Sequence, residues 1–289
     1  MATPLCLLSI HAHPDDESSK GAGTVARYHD EGVRTVLVCC TGGEEGDILN
    51  PAMDHEHVKA DIGAVRRAEL DRAAEIIGYD EVHLLGYRDS GMPDTEANKN
   101  PEAFANAPFD EAVGRFVAII RSTRPQVIVT YGDEQGGYPH PDHIRVHDIT
   151  QPAVERAADP EWYPEAGEPW QVSKIYYTIW SKKRVDLMHA KYLELGLESP
   201  FTEWIKRPWQ DDRITTAIDI EGYAGVRFEA LLAHATQIDP ASPFWFGLPR
   251  DVAEAIHPYD DYVLASSLVD APVPEDDLFA GLRSEVAAR

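Results

Sequence analysis

The sequence predicts an α/β fold, in which a mostly parallel β-sheet carries helices on both faces and a smaller appendage follows at the C-terminal end. Strand-like and helix-like segments alternate through the first half of the chain, which is typical of a parallel sheet with helical crossovers. Beyond residue 159, prolines, tryptophans and tyrosines become frequent and the alternation weakens. We therefore expect a Rossmann-like domain over residues 1–180 and a smaller C-terminal region over residues 181–289 that packs back on it.

The elements of the first half are predicted from apolar runs, β-branched residues and glycines at helix ends. Residues 5–10 are a short apolar run and predict a buried strand, which precedes a helix over residues 19–31 that ends at Gly32. The other predicted elements are strands at 34–40, 81–85 and 126–131, and helices at 62–77, at 109–121 and from about residue 142. In the second half, residues 174–180 predict a further strand, 226–237 a helix and 274–283 a short capping helix.

The charge of the chain excludes several kinds of partner. Aspartates and glutamates number 50 against 26 lysines and arginines, for a formal net charge of −24. Such a surface repels phosphates, so we expect no binding to nucleic acid or to anionic membranes. No apolar run approaches the ~20 residues that span a bilayer, and the apolar N-terminus is interpreted as a strand rather than a signal peptide.

The three cysteines, Cys6, Cys39 and Cys40, lack metal-site spacing and predict reduced, buried thiols in a cytoplasmic protein.

Two polar clusters carry the chemistry: HAHPDDE follows the first predicted strand and GDEQGGYPHPDH the fourth. Ligands of parallel α/β sheets bind at the carboxyl ends of the strands, so we expect the two clusters to meet. His13 and Asp16 flank Pro14, and His143 from the second cluster supplies a third ligand. Imidazole and carboxylate both bind zinc, and three protein ligands leave one position open for water. Asp15 is placed to accept the proton of that water.

Other interpretations of these residues are disfavoured. Asp and His near a helix start often serve only as loop groups or N-caps, but a second cluster at the matching strand end argues against that here. A nucleotide-binding oxidoreductase would carry a G-x-G-x-x-G motif after the first strand, where this chain has HAHPDDE. A purely structural zinc site is usually closed by four Cys or His ligands. His147 is not expected to bind metal, His11 is interpreted as a packing or supporting residue, and His234 as structural or peripheral.

Four motifs in order, HAHPDDESSKGAGT, CTGGEEGDILNP, YRDSGM and GGYPHPDH, resemble the LmbE-like zinc de-N-acetylases. The segments LLAHATQ and HPYDDYVLA extend the resemblance beyond residue 150. Within the family the sequence is most similar to the mycothiol S-conjugate amidases, and the deacetylases of mycothiol biosynthesis share most of the motifs. The resemblance implies one zinc ion per chain at His13, Asp16 and His143, with Asp15 as the general base.

The resemblance also implies roles for residues around the metal. Tyr138 is expected to contact the developing oxyanion, and His140 to stabilise the tetrahedral intermediate or protonate the leaving amine. Asp142 is expected to orient the His140 imidazole, and Gly136 and Gly137 to let their loop move over the substrate. Four residues are expected to contact substrate: Lys20 at the cysteinyl portion, and Asp47, Arg66 and Asp89 at the glucosamine and inositol hydroxyls.

The expected activity is hydrolysis of the amide between N-acetylcysteine and glucosaminyl-inositol in mycothiol S-conjugates, a detoxification reaction on a small molecule. Lys20 and the surrounding SSKG segment favour this activity over deacetylation of N-acetylglucosaminyl-inositol. An amidase of antibiotic biosynthesis is a third alternative. The sequence leaves open the preferred S-substituent, the oligomeric state, and the choice among Zn(II), Fe(II) and Co(II).

Overall fold

The described residues of the chain, 4–133 and 138–283 of a computed structural model, build one seven-stranded sheet between two layers of helices. Its strands are β1 (Cys6–His11), β2 (Arg34–Thr41), β3 (Glu81–Tyr87), β4 (Val127–Tyr131), β5 (Lys174–Ile179), β6 (Thr216–Asp219) and β7 (Tyr259–Ser267). Its helices are α1 (Asp16–Ser19), α2 (Ala22–Asp30), α3 (Glu56–Ala60), α4 (Ile62–Ile77), α5 (Phe109–Thr123), α6 (Pro141–Ala158), α7 (Lys182–Glu194), α8 (Ala224–Ala233), α9 (Pro243–Phe246) and α10 (Arg250–Ile256).

The strand order is β3-β2-β1-β4-β5-β7-β6. Strands β1 to β5 pair in parallel, whereas β7 pairs antiparallel with both β5 and β6. The predicted fold class, a mostly parallel sheet with helices, is therefore confirmed. The C-terminal region is joined to this sheet, because β6 and β7 complete it, and the division into residues 1–180 and 181–289 stays a prediction.

Apolar side chains fill both faces of the sheet. On one face, alternate residues of β1 such as Leu8 and Ile10 pack in a cluster with Phe116 of α5 and Ile149 of α6. On the other face, Leu7 lies in a cluster that takes residues from α2, α4 and α8. Strands buried on both faces explain the continuous apolar runs of the sequence. Cys6, Cys39 and Cys40 are buried free thiols, as the sequence predicts.

Some predicted elements differ from those observed. The helix predicted over 19–31 is two helices, α1 and α2, separated at Gly21, whose φ of 93° is a left-handed conformation that suits glycine. The helix predicted over 226–237 is α8, which begins at Ala224 and ends at Ala233, and His234 directly after it contacts Glu17. Residues 274–282 form a bridge and turns rather than the predicted capping helix. Strands β6 and β7 were not predicted.

The sheet places the two polar clusters beside each other. Strands β1 and β4 are neighbours and run in parallel, so HAHPDDE and the segment after Tyr131 leave the sheet at the same edge. Pairing of β2 with β1 and β3 brings the loops after Thr41 and Tyr87 to that edge as well.

None of the helices in the described parts of the chain combines the length and the apolar character that a membrane crossing requires.

Candidate metal centre

The loop after β1 holds its shape through contacts of its own residues. The backbone N–H of His13 donates to Asp16 Oδ2 at 3.1 Å, so the first residue of α1 closes the turn around Pro14. Asp15 lies between them with φ 118° and ψ −25°, a left-handed conformation that non-glycine residues seldom adopt. Its N–H donates to Glu17 Oε2 at 3.0 Å. Such strain persists only where neighbouring contacts impose it, and it is concentrated at functional sites.

The three predicted metal ligands lie together. Asp16 Oδ2 is 3.4 Å from His13 Nδ1 and 3.3 Å from His143 Nε2, and one ligand atom from each residue lies within 4.8 Å of the others. Zinc bonds of about 2.0–2.1 Å in a tetrahedron separate neighbouring ligand atoms by about 3.3–3.4 Å. All three residues are buried. The spacing, the donor types and the burial fit a divalent ion such as zinc.

The other nitrogen of His13 faces two carboxylates. Nε2 lies 3.2 Å from Asp142 Oδ2 and 3.5 Å from Asp89 Oδ1. The Asp142 carboxylate also accepts from the backbone N–H of Ser90 at 2.9 Å and from the Ser90 hydroxyl. A carboxylate on the far nitrogen of a metal-binding histidine sets its tautomer and raises its basicity. Ser90 was missed by sequence reasoning, although it lies within the YRDSGM motif.

Asp142 contacts two histidines of the cluster in different ways. Its carboxylate faces His13 and Ser90. His140 is the N-cap of α6, and its Nδ1 accepts the backbone N–H of Asp142 at 3.2 Å. Because Pro141 occupies the first helical position, the residue before it is extended and its side chain folds over the helix start. Asp142 therefore orients His140 through its backbone.

Two tyrosines border the cluster. The Tyr131 hydroxyl donates to Asp16 Oδ2 at 2.6 Å and accepts the N–H of Ala12 at 3.0 Å, a supporting contact that sequence reasoning missed. Tyr138 is half exposed, and its ring centroid lies 5.6 Å from that of His143. The predicted mobile glycines, Gly136 and Gly137, lie outside the described residues.

Arg66 holds Asp15, the predicted base, in place. Arg66 donates from Nη2 to Asp15 Oδ2 at 3.2 Å and to the carbonyl of Pro14, and from Nη1 to the carbonyl of Gly43 at 2.7 Å. A Cβ at Gly43 would collide with the Arg66 guanidinium, and the φ of 68° at this position also favours glycine. The Arg66 side chain is buried, whereas the Asp15 side chain is 29% exposed.

The other predicted substrate residues occupy different positions. Lys20 forms an ion pair with Asp16 Oδ1, and its Nζ lies 5.5 Å from the centroid of the Tyr131 ring. Asp89 is buried against His13. Asp47 is exposed, and its backbone carbonyl accepts from Gln237 Nε2 at 3.0 Å. The structure thus brings Lys20 and Asp89 to the cluster and leaves Asp47 at the surface.

The surroundings shift the pKa values of Asp16, Asp15 and His140 in different ways. Burial opposes ionisation of Asp16, but the charges of Lys20 and His143 hold the pKa of its carboxyl well below the usual range. Burial raises the pKa of Asp15, against the opposing effect of Arg66. Burial and the neighbouring charge of His13 lower the pKa of His140 to about 4. The Asp16 carboxyl is thus anionic, Asp15 is made more basic, and His140 is neutral near pH 7.

Comparisons with known proteins identify relatives of this chain. Residues 8–154 match the family model PIG-L, described as GlcNAc-PI de-N-acetylase. Among curated relatives, the mycothiol S-conjugate amidase of Streptomyces coelicolor is 47% identical over 98% of this chain and 99% of its own length. The 1D-myo-inositol 2-acetamido-2-deoxy-alpha-D-glucopyranoside deacetylase of Rhodococcus erythropolis is 43% identical over 96% and 98%.

Solved structures support the fold. The N,N'-diacetylchitobiose deacetylase of Pyrococcus horikoshii superposes with a TM-score of 0.63 at 18% identity, covering 90% of this chain and 83% of that one. The predicted family resemblance and the prediction of a hydrolase are both confirmed. The chain belongs to the PIG-L, or LmbE-like, de-N-acetylase family of metal-dependent amide hydrolases.

Proposed function

We propose that this chain is a zinc amidase that hydrolyses S-conjugates of mycothiol at the amide between N-acetylcysteine and glucosaminyl-inositol. The observation that carries the proposal is the full-length identity of 47% to the Streptomyces coelicolor amidase. The position of Lys20 beside Asp16, at the edge of the metal cluster, supports it. The substrate would be a small molecule, and the site of action the cytoplasm.

Zinc would be held by His13 Nδ1, Asp16 Oδ2 and His143 Nε2, one ion per chain. When bound, such an ion polarises the amide carbonyl and the attacking water. The hydroxyl of Tyr131 and the N–H of His13 both donate to Asp16 Oδ2, which keeps this carboxylate in one orientation. Asp142 on the far side of His13 fixes the nitrogen that faces the ion.

Asp15 would act as the general base. Its raised pKa improves its ability to take a proton from the attacking water, and Arg66 holds its carboxylate at 3.2 Å. Once protonated, Asp15 would return the proton to the departing glucosamine nitrogen. The partial exposure of this carboxylate, in a cluster that is otherwise buried, supports a direct role in the reaction.

His140 and Tyr138 would stabilise the tetrahedral intermediate. Because His140 Nδ1 accepts the N–H of Asp142, the proton of the neutral imidazole resides on Nε2. With its pKa lowered to about 4, His140 then serves as a neutral hydrogen-bond donor rather than as a cationic acid. Tyr138 would donate its hydroxyl to the same developing oxyanion.

Asp47, Arg66 and Asp89 together would recognise the sugar and inositol hydroxyls. Of the three, only Asp47 is exposed, so its carboxylate is the most accessible to a bound polyol. Arg66 and Asp89 would act mainly by holding Asp15 and His13.

The second candidate function is deacetylation of N-acetylglucosaminyl-inositol. The 43% identity to the Rhodococcus erythropolis deacetylase favours it, and the same metal cluster would serve because only the acyl group differs.

The decisive experiment compares the two substrates. The purified protein, loaded with one equivalent of zinc, is incubated with the bimane conjugate of mycothiol and separately with N-acetylglucosaminyl-inositol. We expect bimane mercapturate as product, at a kcat/KM above that for release of acetate. A preference for the acetyl compound would reverse the ranking, and absence of zinc-dependent product from both would refute both functions.

A further inference from the structure

Four aromatic residues form a cluster beyond the carboxyl end of β5. We refer to Trp180, Trp204, Phe244 and Trp245 together as the aromatic cluster. Trp180 directly follows β5, and its ring centroid lies 5.8 Å from that of Trp204 and 5.9 Å from those of Phe244 and Trp245. All four residues are partly exposed. The Arg184 guanidinium lies 4.4 Å from the centre of the Trp180 ring, a cation–π contact that helps to hold this ring in one orientation.

The aromatic cluster lies beside the metal centre, on the side of β5. Thr178 pairs with Tyr131, the last residue of β4, and Trp180 follows two residues later at the edge where the metal ligands lie. A rise of about 3.3 Å per residue and a strand spacing of about 4.8 Å put the Cα atoms of Tyr131 and Trp180 about 8 Å apart. The Tyr131 hydroxyl donates to Asp16, and the Nζ atom of Lys20 lies 5.5 Å from the centre of the Tyr131 ring.

Strand β7 fixes the aromatic cluster relative to the loop that carries the metal ligands. The Tyr262 hydroxyl lies so close to Gly21, at the start of α2, that a Cβ there would be 2.8 Å from it. Asp261, the preceding residue of β7, accepts from Ser181 Oγ at 2.6 Å. Because Ser181 directly follows Trp180, β7 joins the first tryptophan of the cluster to the segment after α1.

The strand order separates the two ends of the proposed substrate. The proposed polyol-binding residues Asp47 and Asp89 follow β2 and β3, on one side of β1, whereas the aromatic cluster follows β5, beyond β4 on the other side. When an amide carbonyl lies at the metal, its acyl and amine portions extend in opposite directions. With glucosaminyl-inositol on the side of β2, the acyl portion extends past Lys20 towards β5. That portion is N-acetylcysteine with its S-substituent.

We propose that the aromatic cluster binds the S-substituent of the conjugate and favours flat aromatic groups, with Trp180 as the main contact surface. Aromatic rings prefer offset-stacked or edge-to-face contacts at centroid distances of about 4.5–7 Å. The cluster already shows both: the Phe244 ring is inclined by 12° to that of Trp180, and the Trp245 ring by 82°. This inference rests on the proposed function and names its substrate class, the conjugates of aromatic electrophiles.

The size of the adjoining cavity indicates how such a group binds. Trp180, Phe244 and Trp245 line a cavity of about 30 Å³, which has room for only about one or two water molecules. An aromatic substituent therefore lies against the exposed faces of the cluster and is not enclosed by it. A surface contact of this kind accepts rings of different size.

The test measures binding without turnover. S-benzyl-N-acetylcysteine and S-methyl-N-acetylcysteine, the acyl products of two conjugates, are titrated by calorimetry into the protein loaded with one equivalent of zinc. We expect the benzyl compound to bind the unaltered protein about tenfold more tightly than the methyl compound, because it adds a stacked ring. Trp180→Ala should lose most of this preference, and Trp180→Phe, which keeps an aromatic face, should retain part of it.

The matched control is Trp162→Ala. Trp162 is also partly exposed, and its ring centre lies 4.2 Å from the Arg156 guanidinium, as that of Trp180 lies close to Arg184. It precedes β5 and therefore lies towards the opposite edge of the sheet. This variant should keep the full preference for the benzyl compound.

Each outcome decides the proposal. Equal affinity of the unaltered protein for the two compounds overturns it, and so does a preference that Trp180→Ala retains. If Trp180→Ala fails to fold by circular dichroism, Trp245→Leu takes its place and must lose the preference.

Turnover of S-benzyl mycothiol and S-methyl mycothiol tests the proposed function separately. Selective binding of the benzyl compound without cleavage of either conjugate would refute the amidase function and leave the aromatic site. Cleavage of both conjugates by a protein that shows no aromatic preference would refute the aromatic site alone.

Discussion

His234 Nε2 lies 2.6 Å from Glu17 Oε1, and both side chains are fully buried, so the turn after α8 is tied to the loop that carries the predicted base. The other oxygen of Glu17 accepts the N–H of Asp15. Burial opposes the ionised carboxylate, but the charge of His234 and its hydrogen bond lower the pKa of Glu17 to about 2. The pair therefore holds the strained backbone of Asp15 from a distant part of the sequence.

The first prediction concerns this pair. Glu17→Gln keeps the shape of the side chain but weakens its contacts with His234 and with the Asp15 N–H, so we expect kcat to fall about 10- to 100-fold, as for other residues that support a metal site. His234→Gln should have a similar effect, and the double variant should lose less than the product of the two. The measurement is kcat beside bound zinc. If bound zinc falls by the same factor as kcat, the pair supports the metal rather than Asp15.

The second prediction separates the base from the ligands. Asp15→Asn should retain zinc and lose activity by about 10²- to 10⁴-fold, because the proton acceptor is removed while the ligand set is intact. His143→Ala should lose both the catalytic zinc and the activity. Bound metal at one added equivalent and initial rates are measured together. Retained activity in Asp15→Asn would contradict the assignment of the base.

The third prediction concerns Ser90, whose hydroxyl and N–H hold Asp142. Ser90→Ala frees one oxygen of that carboxylate, which then orients His13 less well, and we expect zinc affinity to fall about 10- to 100-fold. Competition with a chelator of known affinity measures the change. Ser122→Ala, at an exposed hydroxyl on α5, serves as control and should leave zinc affinity unaltered. An effect of equal size in both variants would contradict the role of Ser90.

These supporting residues mark the limit of what the sequence predicts. Local pattern located α4 at residues 62–77 as observed, and the parallel sheet followed from strand–helix alternation. His13, Asp16 and His143 could be brought together because strand ends share one edge. Contacts such as Glu17 with His234 depend on how distant segments pack, and no spacing along the chain encodes them.

The missed strands have a similar cause. β6 has only four residues, and β7 carries two consecutive aspartates, Asp260 and Asp261, inside an apolar segment. Aspartate is depleted in strands, so the pattern argues against one. The structure accommodates both: Arg227 and Thr24 bind Asp260, and Ser181 and His257 bind Asp261. Tertiary partners thus override the local preference.

The fourth prediction concerns removal of the metal. An ion that binds only the folded chain stabilises it by about 2.7 kcal/mol at a free concentration 100 times its Kd. Dialysis against a chelator should therefore lower the Tm, and one equivalent of zinc should restore it. Asp16→Asn removes a ligand and should show a Tm that is insensitive to the chelator. Calorimetry of both proteins, with and without chelator, provides the measurement.

The fifth prediction is a pH dependence of stability at Asp261, away from the metal cluster. Its carboxylate is buried and accepts from Ser181 Oγ at 2.6 Å, and its other partner is His257 Nε2 at 2.9 Å. Burial opposes ionisation, but these contacts lower the pKa of Asp261 in the folded protein. The stabilisation is therefore present above the unfolded pKa of about 3.9 and is lost as pH falls through the lower folded value. Urea unfolding should show Asp261→Asn to be destabilised at pH 7, with a smaller difference at pH 3.5, whereas a constant difference would contradict an ionised Asp261.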